Sequence, residues 1–188
     1  MSVLERLHGT PAIPTLYGLD KLDAMLAVEP GIALLANIPL VMLGPTIERL
    51  RDSKVFTILN LDSIPGLSST PDGLEYCNHL GVQGILSTQA AAVTRAPSFG
   101  MLSVQKGFVT DRNYAQRLRQ SIKQNRPHMV QLMPAPVIPM LEHSFFDSLP
   151  PFMTSGFVRT EQQIEEALEL GAVAVSTTAE NLWTFRKQ

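Results

Sequence analysis

Residues 152–178, FMTSGFVRTEQQIEEALELGAVAVSTT, read as strand, glycine turn, helix and buried strand in immediate succession. Met153 to Val158 is apolar around Ser155 and Gly156. Thr160 followed by Gln163 forms a capping-box pattern that starts a helix, with Ile164, Ala167 and Leu168 on its apolar side and Gly171 at its stop. Val173, Ala174 and Val175 then run into Ser176 and Thr177, so hydroxyls and backbone N–H groups gather where such a strand emerges. In a (β/α)8 barrel the loops after strands seven and eight, backed by a short extra helix, commonly bind phosphate. Ala179 to Trp183 is expected to be that helix, offering its N-terminal N–H groups to an anion. Gly156, having no side chain, permits the close backbone approach that an oxyanion needs.

Outward from this stretch, the same alternation repeats along the chain. The expected strands are Ile13 to Tyr17, Ile32 to Asn37, Val55 to Asp62, Gly84 to Thr88, Met101 to Val109, Met129 to Pro134, Phe152 to Val158 and Val173 to Thr177. Between them, Leu19 to Val28, Thr46 to Asp52, Pro71 to Leu80, Asp111 to Gln124 and Thr160 to Leu170 read as helices, and Ala90 to Ala96 and Ile138 to Leu149 as shorter or weaker ones. Pro71 suits a first helical position after Thr70. The reading is a compact α/β chain, a (β/α)8 TIM-barrel-like single domain over residues 1–188 with short helices. At 188 residues it lies below the usual size of this fold, which demands clipped helices and tight loops.

The chain is 45% hydrophobic and 17% charged, and no apolar run is long enough to span a membrane. A net charge of −2 argues against indiscriminate nucleic-acid binding. The opening MSVLERLHGTPAIP lacks the zones of a signal peptide and Cys77 is the only cysteine, so a cytoplasmic protein is expected. His8, His79, His128 and His143 have no ligand spacing, and neither metal nor cofactor is expected. Trp183 is expected to close the barrel's bottom or side.

Candidate ligand-binding residues follow from the strand ends, where function in this fold concentrates. Asn60 and Asp62 share parity on the third strand; Asp62 either reaches a ligand or caps the Ser63 to Gly66 turn. Gln105 and Lys106 end the fifth strand and face opposite ways unless the chain bends at Gly107, and Gln105 is expected to point inward. Arg159 matches phosphate geometry, with a surface pair to a glutamate as its alternative. Ser176 and Thr177 serve either a ligand or a helix cap. On the helix from Asp111 to Arg126, Arg112, Arg119, Lys123 and Arg126 fall on one stripe, a candidate RNA-backbone contact.

Beyond these residue-by-residue readings, the ordered set Asp62, Gly66-Leu67, Gly84-Ile85-Leu86-Ser87-Thr88, Gln105, Phe108, Asp111, Leu132-Met133-Pro134, Gly156-Phe157-Val158-Arg159-Thr160, Gly171 to Thr177 and Leu182-Trp183 resembles the glycerol-3-phosphate-responsive antiterminators of bacterial glycerol uptake operons. The resemblance implies a non-catalytic regulator that binds glycerol 3-phosphate, or another small phosphorylated metabolite, and acts on leader mRNA so that transcription passes a terminator. Taken with the strand-end readings, the expected phosphate or ligand contacts are Asp62, Gln105, Lys106, Ser155, Gly156, Arg159, Ser176 and Thr177. Where the family carries a basic, an acidic, a basic and an acidic residue, this chain has Tyr17, Pro65, Gln89 and Gln131. Lys106 stands for an arginine and Ser155 for a glycine. A homo-oligomer is compatible with the chain. Two other readings are a sugar-phosphate aldolase or isomerase, for which Lys106 is the available Schiff-base amine, and a binding module marked by an apolar patch near Phe145 and Phe146.

Overall fold

The computed structural model describes residues 3–7 and 9–186; His8 lies outside the described residues. Eight parallel strands close into a barrel in chain order: β1 (Ala12–Tyr17), β2 (Ile32–Ala36), β3 (Phe56–Asn60), β4 (Gly84–Ser87), β5 (Leu102–Phe108), β6 (Met129–Met133), β7 (Phe152–Ser155) and β8 (Ala174–Thr177). All eight expected strands are present; the first begins one residue earlier than expected, at Ala12, and the other seven are trimmed at one or both ends. The third ends at Asn60 because the chain folds into a 3-10 turn at Leu61–Ser63, which carries Asp62 out of the strand.

The helices are α1 (Val3–Leu7), α2 (Leu22–Ala27), α3 (Leu40–Asp52), α4 (Pro71–Leu80), α5 (Ala90–Arg95), α6 (Arg112–Asn125), α7 (His143–Phe146) and α8 (Glu161–Glu169). The size is met as expected, by clipping: α2 and α5 have six residues each and α7 has four. The span expected as one helix from Ile138 to Leu149 is instead a 3-10 stretch over Ala135–Met140 followed by α7. Pro136 and Pro139 remove the N–H groups that a continuous α-helix there would use. Conversely, α3 starts six residues before Thr46 and holds Pro45 inside it, which forgoes the intrahelical N–H bond to the Val41 carbonyl.

Period-two alternation divides the core in two layers. Inward-facing Ile13, Ile32, Leu34, Ile58, Leu86, Val104, Met129, Met153 and Ala174 fill the barrel, and Leu7 of α1 packs against them from below. Outward-facing residues meet the helices in two shells, one around α2 to α5 and the other around α6 to α8. Trp183 closes the side: it is buried with Leu22 and Met25 of α2, and its indole N–H donates to the Thr177 carbonyl at 2.9 Å. Phe145 is buried, and Phe146 packs against both Phe145 and Phe152, so the apolar patch expected there is part of the core.

Candidate functional site

Toward the strands' C-terminal ends the inner wall changes from apolar to polar. Thr15, Asn60, Lys106, Gln131, Ser155 and Ser176 form an upper ring that opens into a cavity of about 680 Å3, closed on one side by Gly156 to Arg159 and Thr178 to Ala179. The lining holds the cations Lys106 and Arg159 and no carboxylate.

Strand phase settles the choice at the end of β5, and it reverses the expectation for Gln105. Lys106 lies inward, its Nζ 3.1 Å from Asn60 Oδ1. Gln105 is turned outward and buried against α6, donating to Ser121 Oγ at 3.0 Å and accepting from Asn125 Nδ2 at 3.1 Å. Gly107 shows the same phase: a Cβ there would meet the Leu118 side chain, so residues of its parity face α6. Burial depresses the Lys106 ammonium below the usual lysine range, and the Asp62 charge only partly restores it. An anion in the cavity would compensate that desolvated charge.

Asp62 lies outside the cavity lining. Its carboxylate accepts from the Ser87 hydroxyl, from the Thr88 amide at 2.7 Å and hydroxyl at 2.9 Å, and from Gln89 Nε2 at 3.3 Å. It therefore clamps the loop after β4, rather than the Ser63 to Gly66 turn or a ligand. Burial pushes the carboxyl up, but the Ser87 and Thr88 donors and the Lys106 charge outweigh that and hold it below its ordinary value.

Ser155, Gly156, Arg159, Ser176 and Thr177 all line the cavity. Gly156 and Phe157 both adopt positive φ, 86° and 59°, which turns the chain sharply over the mouth. A side chain at position 156 would be strained by that φ and would crowd Met133 and Pro134. The capping box is present, with Thr160 Oγ1 accepting from the Gln163 amide at 3.3 Å and Gln163 Oε1 from the Thr160 amide at 3.2 Å. Among the described residues no ion pair engages the exposed Arg159 guanidinium. The extra helix is only a 3-10 turn at Glu180–Leu182, and Thr177 Oγ1 already takes the Ala179 N–H at 3.0 Å. Thr177 also donates to the Val158 carbonyl at 2.9 Å, tying the two loops together. The rim here is thus a pair of tied loops with a 3-10 turn behind them, where a short helix was expected.

Of the ring members, Thr15 carries no sequence signal, and Gln131 stands out in the sequence as a missing charge. Gln131 is 2% exposed, and its Nε2 donates to Ser176 Oγ at 3.1 Å. Tyr17 and Phe157 line the same opening and are exposed, and the exposed Phe108 ring lies 5.8 Å from Lys106 Nζ.

On α6, Ala115, Leu118 and Ile122 are buried, Arg112 and Lys123 are exposed and Arg119 is partly exposed; Arg126, expected inside the helix, follows its end with φ 48° and is exposed. Among the described residues none of these four cations enters an ion pair. No group of three metal-binding side chains occurs among the described residues, and burial pushes the Cys77 thiol up to about 12. No described helix is long and apolar enough to cross a membrane.

A family model described as glycerol-3-phosphate responsive antiterminator matches residues 12–183. The chain is similar to the glycerol uptake operon antiterminator regulatory protein of Listeria monocytogenes, with 21% identity, a TM-score of 0.85, and 92% of this chain and 94% of that one covered. It is similar to a glycerol uptake operon antiterminator-related protein of Thermotoga maritima, with 21% identity, a TM-score of 0.83, and 94% and 99% covered. A deoxyribose phosphate aldolase of Aeropyrum pernix shares the barrel at 16% identity and a TM-score of 0.66, with 98% and 92% covered.

Proposed function

The chain belongs to the glycerol-3-phosphate responsive antiterminator family, and from that premise we propose that it senses a small phosphorylated metabolite at the barrel mouth and, when occupied, acts on leader mRNA to carry transcription of glycerol uptake genes past a terminator. The observation that carries this reading is the charge of the mouth: two cations and no carboxylate around a polar cavity. Such a lining favours a phosphate ester, and it lacks the convergent acid and base that aldol or isomerase chemistry requires. Regulation requires the ligand to favour one conformation over another, and the tied loops after β7 and β8 are where occupancy acts.

Arg159→Ala tests the site. Loss of charge-assisted hydrogen bonds to phosphate is expected to weaken glycerol 3-phosphate binding about tenfold or more in calorimetric titration. Unchanged affinity would remove Arg159 from the site. For the RNA arm, the α6 stripe is the proposed contact. The double variant Arg119→Glu, Lys123→Glu is expected to weaken retention of a glycerol uptake operon leader transcript in gel-shift titration and to flatten its salt dependence by about one to two units of log–log slope. A variant that binds as the wild type does would exclude this helix as the RNA contact.

A further inference from the structure

Three aromatic side chains stand at the mouth and contribute little to the core. Tyr17, the last residue of β1, is 66% exposed; Phe108, the last of β5, is 40% exposed; Phe157, two residues beyond β7, is 72% exposed. Tyr17 and Phe157 line the cavity, and the Phe108 ring lies 5.8 Å from the ammonium of Lys106, which lines it too. Phe157 is the most informative. Its φ of 59° lies in the left-handed region that bulky side chains rarely adopt. Main-chain carbonyls anchor that turn: Gly156 accepts from the Ala135 N–H at 3.3 Å and Phe157 from Gln163 Nε2 at 3.3 Å. Neither bond calls for an aromatic side chain, yet the turn holds a ring out in solvent.

The partner that suits this rim is flat and apolar on its faces and negatively charged between them, because the cavity lining beside the rings holds Lys106 and Arg159 and no carboxylate. Unpaired nucleotides have that build, with base faces that stack on aromatic rings and phosphates that seek cations. A duplex hides those faces, and an apolar protein surface would leave both cations unanswered. The path to the rim is also laid out. Three residues join β5 to α6, so the exposed Arg112 brings the upper end of the cationic stripe close to Phe108. Resting on the antiterminator reading above, we propose that Tyr17, Phe108 and Phe157 form a stacking platform for unpaired bases of the leader transcript, continuous with the α6 stripe. The transcript then lies across the occupied mouth. Phe157 sits between Gly156 and Arg159 in the loop that meets the phosphate, so ligand and RNA act on one segment and each tightens the other by the same factor.

The test is gel-shift titration of the full chain with a glycerol uptake operon leader transcript at saturating glycerol 3-phosphate, beside calorimetric titration with glycerol 3-phosphate alone. Tyr17→Ala and Phe157→Ala are each expected to weaken transcript binding about tenfold, the loss of one stacked base, and to leave the salt dependence unchanged because no charge is removed. Both side chains are exposed, so thermal midpoints and glycerol 3-phosphate affinity without RNA are expected to match the wild type. Phe157→Trp keeps a ring face and is expected to bind the transcript as the wild type does. Annealing a complementary strand to the transcript is expected to erase the difference between wild type and the alanine variants. Alanine variants that hold the single-stranded transcript as tightly as the wild type overturn the proposal. So do folded variants that lose glycerol 3-phosphate and transcript together, since the rings then cover the small ligand. Failure of the underlying reading looks different: the wild-type chain then gives no heat with glycerol 3-phosphate and retains no transcript, and this inference falls with it.

Discussion

Gly73→Ala is expected to destabilise the fold by about 3 kcal/mol, lowering the thermal midpoint by roughly 6–12 °C for a chain of this size. The expectation runs against helix propensity, by which alanine is favoured over glycine by about 1 kcal/mol inside a helix. Gly73 sits in the first turn of α4, where its N–H donates to Thr70 Oγ1 at 3.3 Å. A Cβ at this position would drive into the Ser68 backbone carbonyl, which no rotamer change relieves. Relief needs the segment before the helix to move, at the cost of the Thr70 cap and of the Ser68 to Thr70 hydroxyl bond at 2.8 Å. A thermal melt decides between clash and propensity; a midpoint equal to or above that of the wild type would show that the loop yields freely.

The second large effect belongs to Asp62→Asn, expected to cost about 2 kcal/mol at neutral pH. The carboxylate accepts from Ser87, Thr88 and Gln89, and an amide in its place turns a donor toward one of those donors. Solvent reaches the side chain and partly rehydrates the freed groups, which keeps the figure well below the sum of four charged hydrogen bonds. The pH dependence follows from the depressed carboxyl. Stability from Asp62 is fully present above the unfolded value of about 4 and is lost as pH falls through the lower folded value. Denaturant melts should therefore show the gap between wild type and variant closing in that acid window. Phosphate affinity of the variant is expected to stay within about twofold of wild type, because Asp62 clamps a loop outside the cavity lining. A tenfold loss would restore it as a ligand.

Much of the fold was legible because barrel strands in this chain are short apolar runs broken by Gly, Pro, Asn or Ser, and because Thr70-Pro71 and Gly81 mark the ends of α4 unmistakably. Legibility failed where tertiary context overrides local signals. Pro45 reads as a breaker yet lies inside α3, and the prolines after β6 convert an expected helix into a 3-10 stretch. At the site, composition marked the strand ends but not the phase of each strand. Gln105 and Lys106 are adjacent, and only the packing of Gly107 against Leu118 decides which enters the barrel. Gln131 was marked only as a departure in charge, because an isolated glutamine in an apolar run carries no pattern and its pairing with Ser176 exists only once the barrel brings β8 near β6.

The separation of the barrel interior into an apolar lower fill and a polar crown leaves recognition mechanically independent of the foundation. On the proposed function, exchanges among Thr15, Asn60, Lys106, Gln131 and Ser155 would alter what the opening accepts, while Ile13, Leu34, Ile58, Val104 and Met153 go on holding the staves together beneath. A scaffold divided in this way can change its effector without first being rebuilt.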